Sequence, residues 1–379
     1  MSKNLNYNTD VVKHYVRYYG WIKPFKSILN FVDAEIKKGR RDNNCKYLTF
    51  CAAQAIDVFL FEYLKYLYRN EKTNRLENVY FCENDEESFS IIQKMIGSSE
   101  QGFFGDFKQI ILQDETEQIG NIDDPFDEPE TEDEREKLRL IELKKGLLAK
   151  FPFDVINLDI YGNFFPNSEK RYSDAFQTYK GVLEQQKRGN TCKRFLMYLT
   201  VYTPVLNKPR YVNPDVITSF EMVLLGNLVY PEFEQAFLNK YGHTDPRNIE
   251  VYQKFILGFT KQILFKETYK LGWKPKLHNM MAYDRIHHDN NAKYKITTFV
   301  VEYRRDSALD GFDDFDGNVY EEIEEDYKAQ LFNIVTNKPE YVPSEDQIPK
   351  EVSENLLSTV AFRNAFLKKI GLYKSEIFD

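Results

Sequence analysis

The sequence has few cysteines, no long apolar run and no excess of positive charge. Its four cysteines, Cys45, Cys51, Cys82 and Cys192, form no CxxC pair. That excludes a zinc ribbon and gives no sign of a disulfide framework. All four lie in or beside expected strands, so free and mostly buried thiols are the reading. No apolar run approaches the length of a membrane span, and the opening MSKNLNYNTD carries no apolar signal region. A protein without a membrane span, in a reducing cytoplasm, is the default expectation. The net charge of −8 argues against broad nucleic-acid binding, although the distribution of charge matters more than its total. A Walker A sequence and a GxSxG sequence are both missing, so neither a P-loop nor a nucleophile elbow is encoded.

Metal-binding patterns are weak as well. His287, His288 and Asp289 are adjacent, with His278 upstream. Neighbouring histidines on a turn point apart, and no metal is expected there. The segment containing DDFDGN, residues 312–324, has a calcium-loop look. With Gly317 at the obligatory glycine, Phe312 and Ile323 fall where oxygen ligands are required, so the match fails.

Aromatic residues are abundant, with 30 Phe and 26 Tyr, and 42% of the chain is hydrophobic. A sizeable core is therefore available. The chain is organised around Phe151 to Phe165, FPFDVINLDIYGNFF. Val155, Ile156 and Leu158 form an apolar run that only Asn157 interrupts. Central parallel strands read this way because helices cover both faces. Asp159 ends that strand, and ligands bind at the carboxyl ends of strands in open α/β sheets.

Taken in order, residues 10–38 show helical spacing, with Pro24 dividing two helices. The bases Lys37, Lys38, Arg40, Arg41 and Lys46 follow, as a solvated helix end or a phosphate-contacting patch. Tyr47 to Ala53 reads as a strand, Ile56 to Tyr68 as a long helix and Asn78 to Cys82 as a strand. Glu86 to Ile96 reads as a helix, Gly102 to Asp106 as a loop and Gln109 to Leu112 as a short strand. This alternation favours a parallel sheet with right-handed crossovers. Residues 114–136 hold twelve acids against Arg135 alone, and are expected as a mobile acidic loop. Its alternatives are a nucleic-acid decoy and a docking site for a basic partner. A helix over 137–150 leads into the organising strand.

Beyond it, residues 173–188 are expected as a helix and Arg194 to Thr203 as a strand. Further helices are expected at 214–228, 233–241 and 248–269. Leu277 to Tyr283 and Lys293 to Tyr303 read as an antiparallel hairpin. The lysine-bearing run Lys293 to Arg305 either lines a basic surface or marks an amphipathic edge strand. Residues 305–325 are acidic and loop-like, and a helix is expected over 352–370.

Five strand–helix units followed by a hairpin resemble the class I S-adenosylmethionine-dependent methyltransferase fold over residues 45–304. The implied fold is α/β, a Rossmann-like mostly parallel sheet with an antiparallel carboxyl-terminal hairpin and helical additions at both ends. The implied domains are a helical extension over 1–44, the methyltransferase-like domain over 45–304 with the acidic loop 114–136 inserted, and an acidic linker with a helical tail over 305–379. In that family the first strand and its turn hold the amino-acid part of the cofactor, the place of Thr49 to Asp57, TFCAAQAID. The resemblance thus assigns Ala53 and Ala55 to the cofactor site. An acid after the second strand holds the ribose hydroxyls, and Glu83 in FCENDEESF matches it. An acid near the third strand addresses the adenine, and Asp106 in FFGDF is the candidate.

The fourth-strand motif resembles Asp-Pro-Phe/Tyr-Gly of the tRNA guanine-N2 methyltransferases. Asp159, Tyr161 and Gly162 match it, and Ile160 replaces the proline. Asp159 and Tyr161 are the implied catalytic pair, one orienting the acceptor nitrogen and one stacking on a planar substrate. The first turn departs from that group's Ala-Ser-Gly-Leu-Arg, with Ala53, Gln54, Ala55, Ile56 and Asp57 in its place. A glycine there would take positive φ freely, at a cost of about 1 kcal/mol or more for an alanine. Two functions follow. One is a methyltransferase acting on a nucleic acid or another planar nitrogen substrate. The other is a non-catalytic methyltransferase-like subunit that binds a partner protein, for example in a prokaryotic defence module.

Overall fold

A computed structural model describes residues 11–112, 131–159, 173–188, 191–203, 268–269, 271–286, 293–306 and 340–374. The fold is α/β. Its Rossmann-like mixed sheet is mostly parallel, with antiparallel pairing among the carboxyl-terminal strands and helices added at both ends. The chain divides into two compact units. The first comprises Met1–Asn157, Glu184–Cys192 and Ser344–Asp379, and the second Leu158–Leu183 and Lys193–Pro343.

The first unit begins with helix α1 (Val11–Tyr15), a π-helical turn over Val16–Trp21, and α2 (Ile22–Lys37). Pro24 sits in the first turn of α2, where its missing N–H costs nothing. Residues 11–37 are helical without a break, through the π-helical turn, so the expected division into two helices at Pro24 is not present. Strand β1 (Tyr47–Thr49) is followed by α3 (Ile56–Tyr63), β2 (Val79–Glu83) and α4 (Glu86–Ile96). Then come β3 (Gly102–Phe104), α5 (Phe107–Leu112), α6 (Glu132–Leu148) and β4 (Val155–Asp159). The strand order here is β3-β2-β1-β4, and β1 pairs in parallel with both β2 and β4. These strands are apolar on both faces, as helix-covered strands must be: Tyr47, Leu48, Val155, Ile156 and Leu158 are all 0% exposed.

Three local expectations are corrected. Helix α3 stops at Tyr63 rather than Tyr68, and Lys65 then takes φ 60°, which ends the helix in a left-handed turn. The third strand is Gly102–Phe104, not Gln109–Leu112, which lies in α5. Asp106 drives that switch, because its Oδ1 accepts the Lys108 N–H at 2.8 Å and opens a helix where a strand was expected. The last acids of the supposed loop belong to α6, which a reciprocal Thr131–Glu134 capping box starts. Acids in a helix's first turn suit its dipole, so charge density there marks a helix start. Residues 113–130 lie outside the described set.

The carboxyl-terminal helix α8 (Lys350–Lys369) belongs to the first unit and packs on α3 and α1. Phe59 meets the ring of Phe366 at 5.8 Å, and the Arg69 guanidinium lies 3.9 Å from the same ring.

The second unit holds α7 (Asp174–Gln185) up to Leu183, and strands β5 (Arg194–Thr203), β6 (Trp273–Ile286), β7 (Lys293–Arg305) and β8 (Glu340–Tyr341). Their order is β5-β7-β6-β8. The expected antiparallel hairpin is present as β6 and β7, and β7 also pairs antiparallel with β5. Strand β7 is therefore internal, which overturns its reading as an edge strand. The helices expected at 214–228, 233–241 and over most of 248–269, the acidic segment 307–325 and the turn at 287–292 lie outside the described residues. Among the described residues, no helix is long and apolar enough to cross a membrane.

Candidate functional site

The first unit gathers most of the predicted site residues at the carboxyl ends of β1, β2 and β3. After β1 the chain turns through Ala52 to Ala55, closed by the Ala55 N–H donating to Ala52 O at 2.8 Å. Ala55 takes φ 45° and ψ 35°, the left-handed conformation, immediately ahead of α3. An alanine thus holds the backbone that a glycine would adopt more cheaply. The packing that holds it there is visible. Ala53 and Gln54 are 0% exposed and Ala55 2%. The Gln54 side-chain oxygen Oε1 accepts a hydrogen bond from Nη1 of the fully buried Arg363 on α8.

Asp57, in the first turn of α3, is buried at 3% exposure. Its Oδ2 accepts from Tyr47 Oη at 2.7 Å, Thr49 Oγ1 at 2.6 Å and Asn157 Nδ2 at 3.3 Å. The acid that stands where the resembling family has arginine therefore joins β1 to β4 and complements the helix amino end. Asn157, the only polar residue inside the β4 run, supplies one of these bonds. A polar residue in an otherwise apolar strand was the available signal for this network, but its partner could not be read from spacing.

Glu83 ends β2 half-buried. Its Oε1 accepts the Asn84 and Asp85 N–H groups at 2.8 and 2.9 Å. Its other oxygen has no hydrogen bond among the described residues. Burial pushes the carboxyl above its ordinary value, and the two backbone donors pull the other way. The Glu83 carbonyl accepts from Gly105 N at 3.0 Å, so the β2 and β3 ends are tied together beside Asp106. Asp106 caps α5 with Oδ1, a structural role that leaves its second oxygen for another donor. Phe50, next after β1, meets Phe107 edge-on at 4.7 Å. Phe50, Ala52, Glu83, Gly105 and Asp106 are all half-buried and so reachable from solvent. The pair Phe50–Phe107 was missed by sequence reasoning, since aromatics are too common in this chain to single two out.

Two cysteines lie under this rim. Burial pushes both the Cys51 and Cys82 thiols well up, and the Asp57 and Glu83 charges push Cys51 further. Neither is a thiolate at neutral pH, so nucleophilic sulfur chemistry is not what this site offers.

Asp159 is placed at the end of β4, half-buried and engaged with neighbouring groups. It belongs to the second unit. Tyr161 and Gly162 lie outside the described residues. The basic cluster after α2 is largely structural. Arg41 forms a two-pronged pair with Asp154 at 2.5 and 2.6 Å and also donates to the Asn43 and Asn44 carbonyls. Lys46 donates to the Lys150 carbonyl, while Lys38 and Arg40 lie 3.5 and 3.6 Å from Glu35. Arg41 and Lys46 are thus held by the fold, and the cluster's charge is offset in part by Asp154 and Glu35. Comparison with family models, with curated proteins and with solved structures finds no match to this chain.

Proposed function

We propose that this chain is a methyltransferase-like protein of the class I kind, with S-adenosylmethionine taken at the carboxyl ends of β1, β2 and β3. The observation that carries this reading is the left-handed Ala55 in the turn between β1 and α3. The backbone shape that glycine serves in the resembling family is kept here at an energetic cost, which sterics put at about 1–2 kcal/mol. The Glu83 oxygen that makes no hydrogen bond among the described residues supports the reading, because a carboxylate accepts the hydroxyl hydrogens of a ribose. Ala52 and Phe50 offer backbone and a ring face along the same rim. Asp159 orients the acceptor nitrogen by accepting its hydrogen bond, and Tyr161 stacks on a planar acceptor, in a cytoplasmic enzyme acting on nucleic acid. Methyl transfer displaces the sulfonium sulfur at a carbon, so positioning supplies much of the rate.

A second reading has its own observation. Ala53, Gln54 and Ala55 are at most 2% exposed, which suits a turn retained for structure in a non-catalytic subunit that binds a partner protein. Incubation with methyl-labelled S-adenosylmethionine and pooled tRNA separates the two. Label transfer that Asp159→Asn abolishes supports the enzyme. Cofactor binding without transfer to any nucleic acid favours the subunit.

A further inference from the structure

The basic run in β7 has a place in the fold that neither reading uses. Glu302 on β7 is 1% exposed, yet it is ionised and held well below the usual carboxylate range by three partners. Arg194 of β5 and His278 of β6 meet its Oε2 at 2.8 and 3.0 Å, and Arg304 Nε meets its Oε1 at 2.7 Å. Lys276 of β6 pairs directly across from Glu302 in the ladder, so its side chain stands on the same face. Lys276 is exposed and makes no ion pair among the described residues. Lys274, opposite Arg304, is matched by Asp306 at 2.8 Å.

His278 reaches this face because of a bulge. The β6–β7 register shifts between Leu277 and Asn279, so His278 is the extra residue, re-aimed onto Glu302. Setting Lys274 against Asp306, the remaining charges among the described residues of this cluster are Arg194, Arg304 and Lys276 against Glu302. The patch is positive in a chain whose net charge is −8. It is also ordered, because one buried carboxylate fixes two guanidinium groups and an imidazole. Arg304 keeps both terminal nitrogens available, since only its Nε is used among the described residues.

We infer that this end of the β5-β7-β6 sheet is a binding surface for the phosphate backbone of a nucleic-acid strand. The cations come from three adjacent strands spaced about 4.8 Å apart. They are spread over the face of a sheet rather than converging on a point, which fits a row of phosphates. Guanidinium and ammonium groups arrayed along a strand face contact phosphates by charge and position, so binding is insensitive to sequence. The inference stands apart from cofactor binding, and its test uses no cofactor.

The experiment is fluorescence anisotropy of the full chain with a labelled mixed-sequence RNA 20-mer, from low to moderate salt. The variants are Lys276→Glu and Arg304→Gln, with Lys94→Glu on α4 as the control. Lys276→Glu changes an exposed side chain and keeps the fold, which circular dichroism verifies. The expected result is salt-dependent binding that Lys276→Glu weakens tenfold or more, that Arg304→Gln also weakens, and that Lys94→Glu leaves unchanged. The slope of affinity against salt should fall by about one per phosphate contact removed. An absence of RNA binding, or binding that Lys276→Glu and Lys94→Glu affect alike, overturns the inference. So does binding to anionic lipid vesicles with RNA ignored.

Discussion

His14 should make this protein lose stability between neutral and mildly acidic pH, by an amount the structure lets us work out. It lies on α1 at 0% exposure, with Nε2 at 2.9 Å from Asn355 Oδ1 on α8. An amide oxygen only accepts, so Nε2 carries the proton and Nδ1 is bare. Nδ1 is buried without a hydrogen-bond partner among the described residues. Burial, with the Arg17 charge beside it, lowers the pKa from 6.5 to about 4, against the opposing bond to Asn355. The folded value lies below the unfolded one. The stabilising effect is therefore complete above pH 6.5 and is lost as the pH falls toward 4. In that window the unfolded chain binds a proton that the native protein does not. Each pH unit costs about 1.4 kcal/mol, so the fall from pH 7 to pH 5 removes about 2 kcal/mol.

The assay is urea unfolding of the natural chain and of His14→Gln at pH 7, 6 and 5. Glutamine is neutral throughout and can still donate to Asn355. Other titrating groups act equally in both proteins, so the difference in slope isolates His14. The natural chain should lose about 2 kcal/mol more than the variant across this range. Parallel losses would refute the reasoning, because they would mean that His14 titrates as it does in the unfolded chain.

Three further outcomes follow from particular positions. Ala55→Gly should raise stability by about 1 kcal/mol in thermal or urea melts, since it relieves a left-handed alanine and improves a helix amino cap. Gly102→Ala should destabilise by about 1–3 kcal/mol, because a Cβ there would meet the Phe81 ring at 2.6 Å and Phe89 at 3.0 Å. Arg41→Ala should lower the urea midpoint by an amount equivalent to about 3 kcal/mol, leaving Asp154, with a side chain 7% exposed, without its two-pronged partner.

The sequence patterns carried the fold well wherever an element is long and apolar. Strand β5 falls on Arg194–Thr203 and α4 on Glu86–Ile96, both as the periodicity predicts. Short elements were harder. Gly102–Phe104 reads as a loop because three residues carry no period, and only the Phe81 ring lying over Gly102 explains why a strand needs glycine there. Glu83 and Asp106 were legible as acids after strands. Their present hydrogen bonds were not, because turn capping uses the same residue types as ligand binding. The Asp57 network joins residues 100 positions apart in the chain, and Glu302 draws its partners from three strands. Neither can be read without strand order. The same applies to the basic run in β7, whose meaning changed once β7 proved internal.

The central claim is that the β1–β3 rim is a cofactor site with Glu83 as its ribose acceptor. Isothermal calorimetry of the chain with S-adenosylmethionine, beside Glu83→Ala, tests it most directly. The account predicts micromolar binding that the variant loses, with both proteins equally folded by circular dichroism. No heat of binding from the folded natural chain at millimolar cofactor, or equal affinity in the variant, would contradict it.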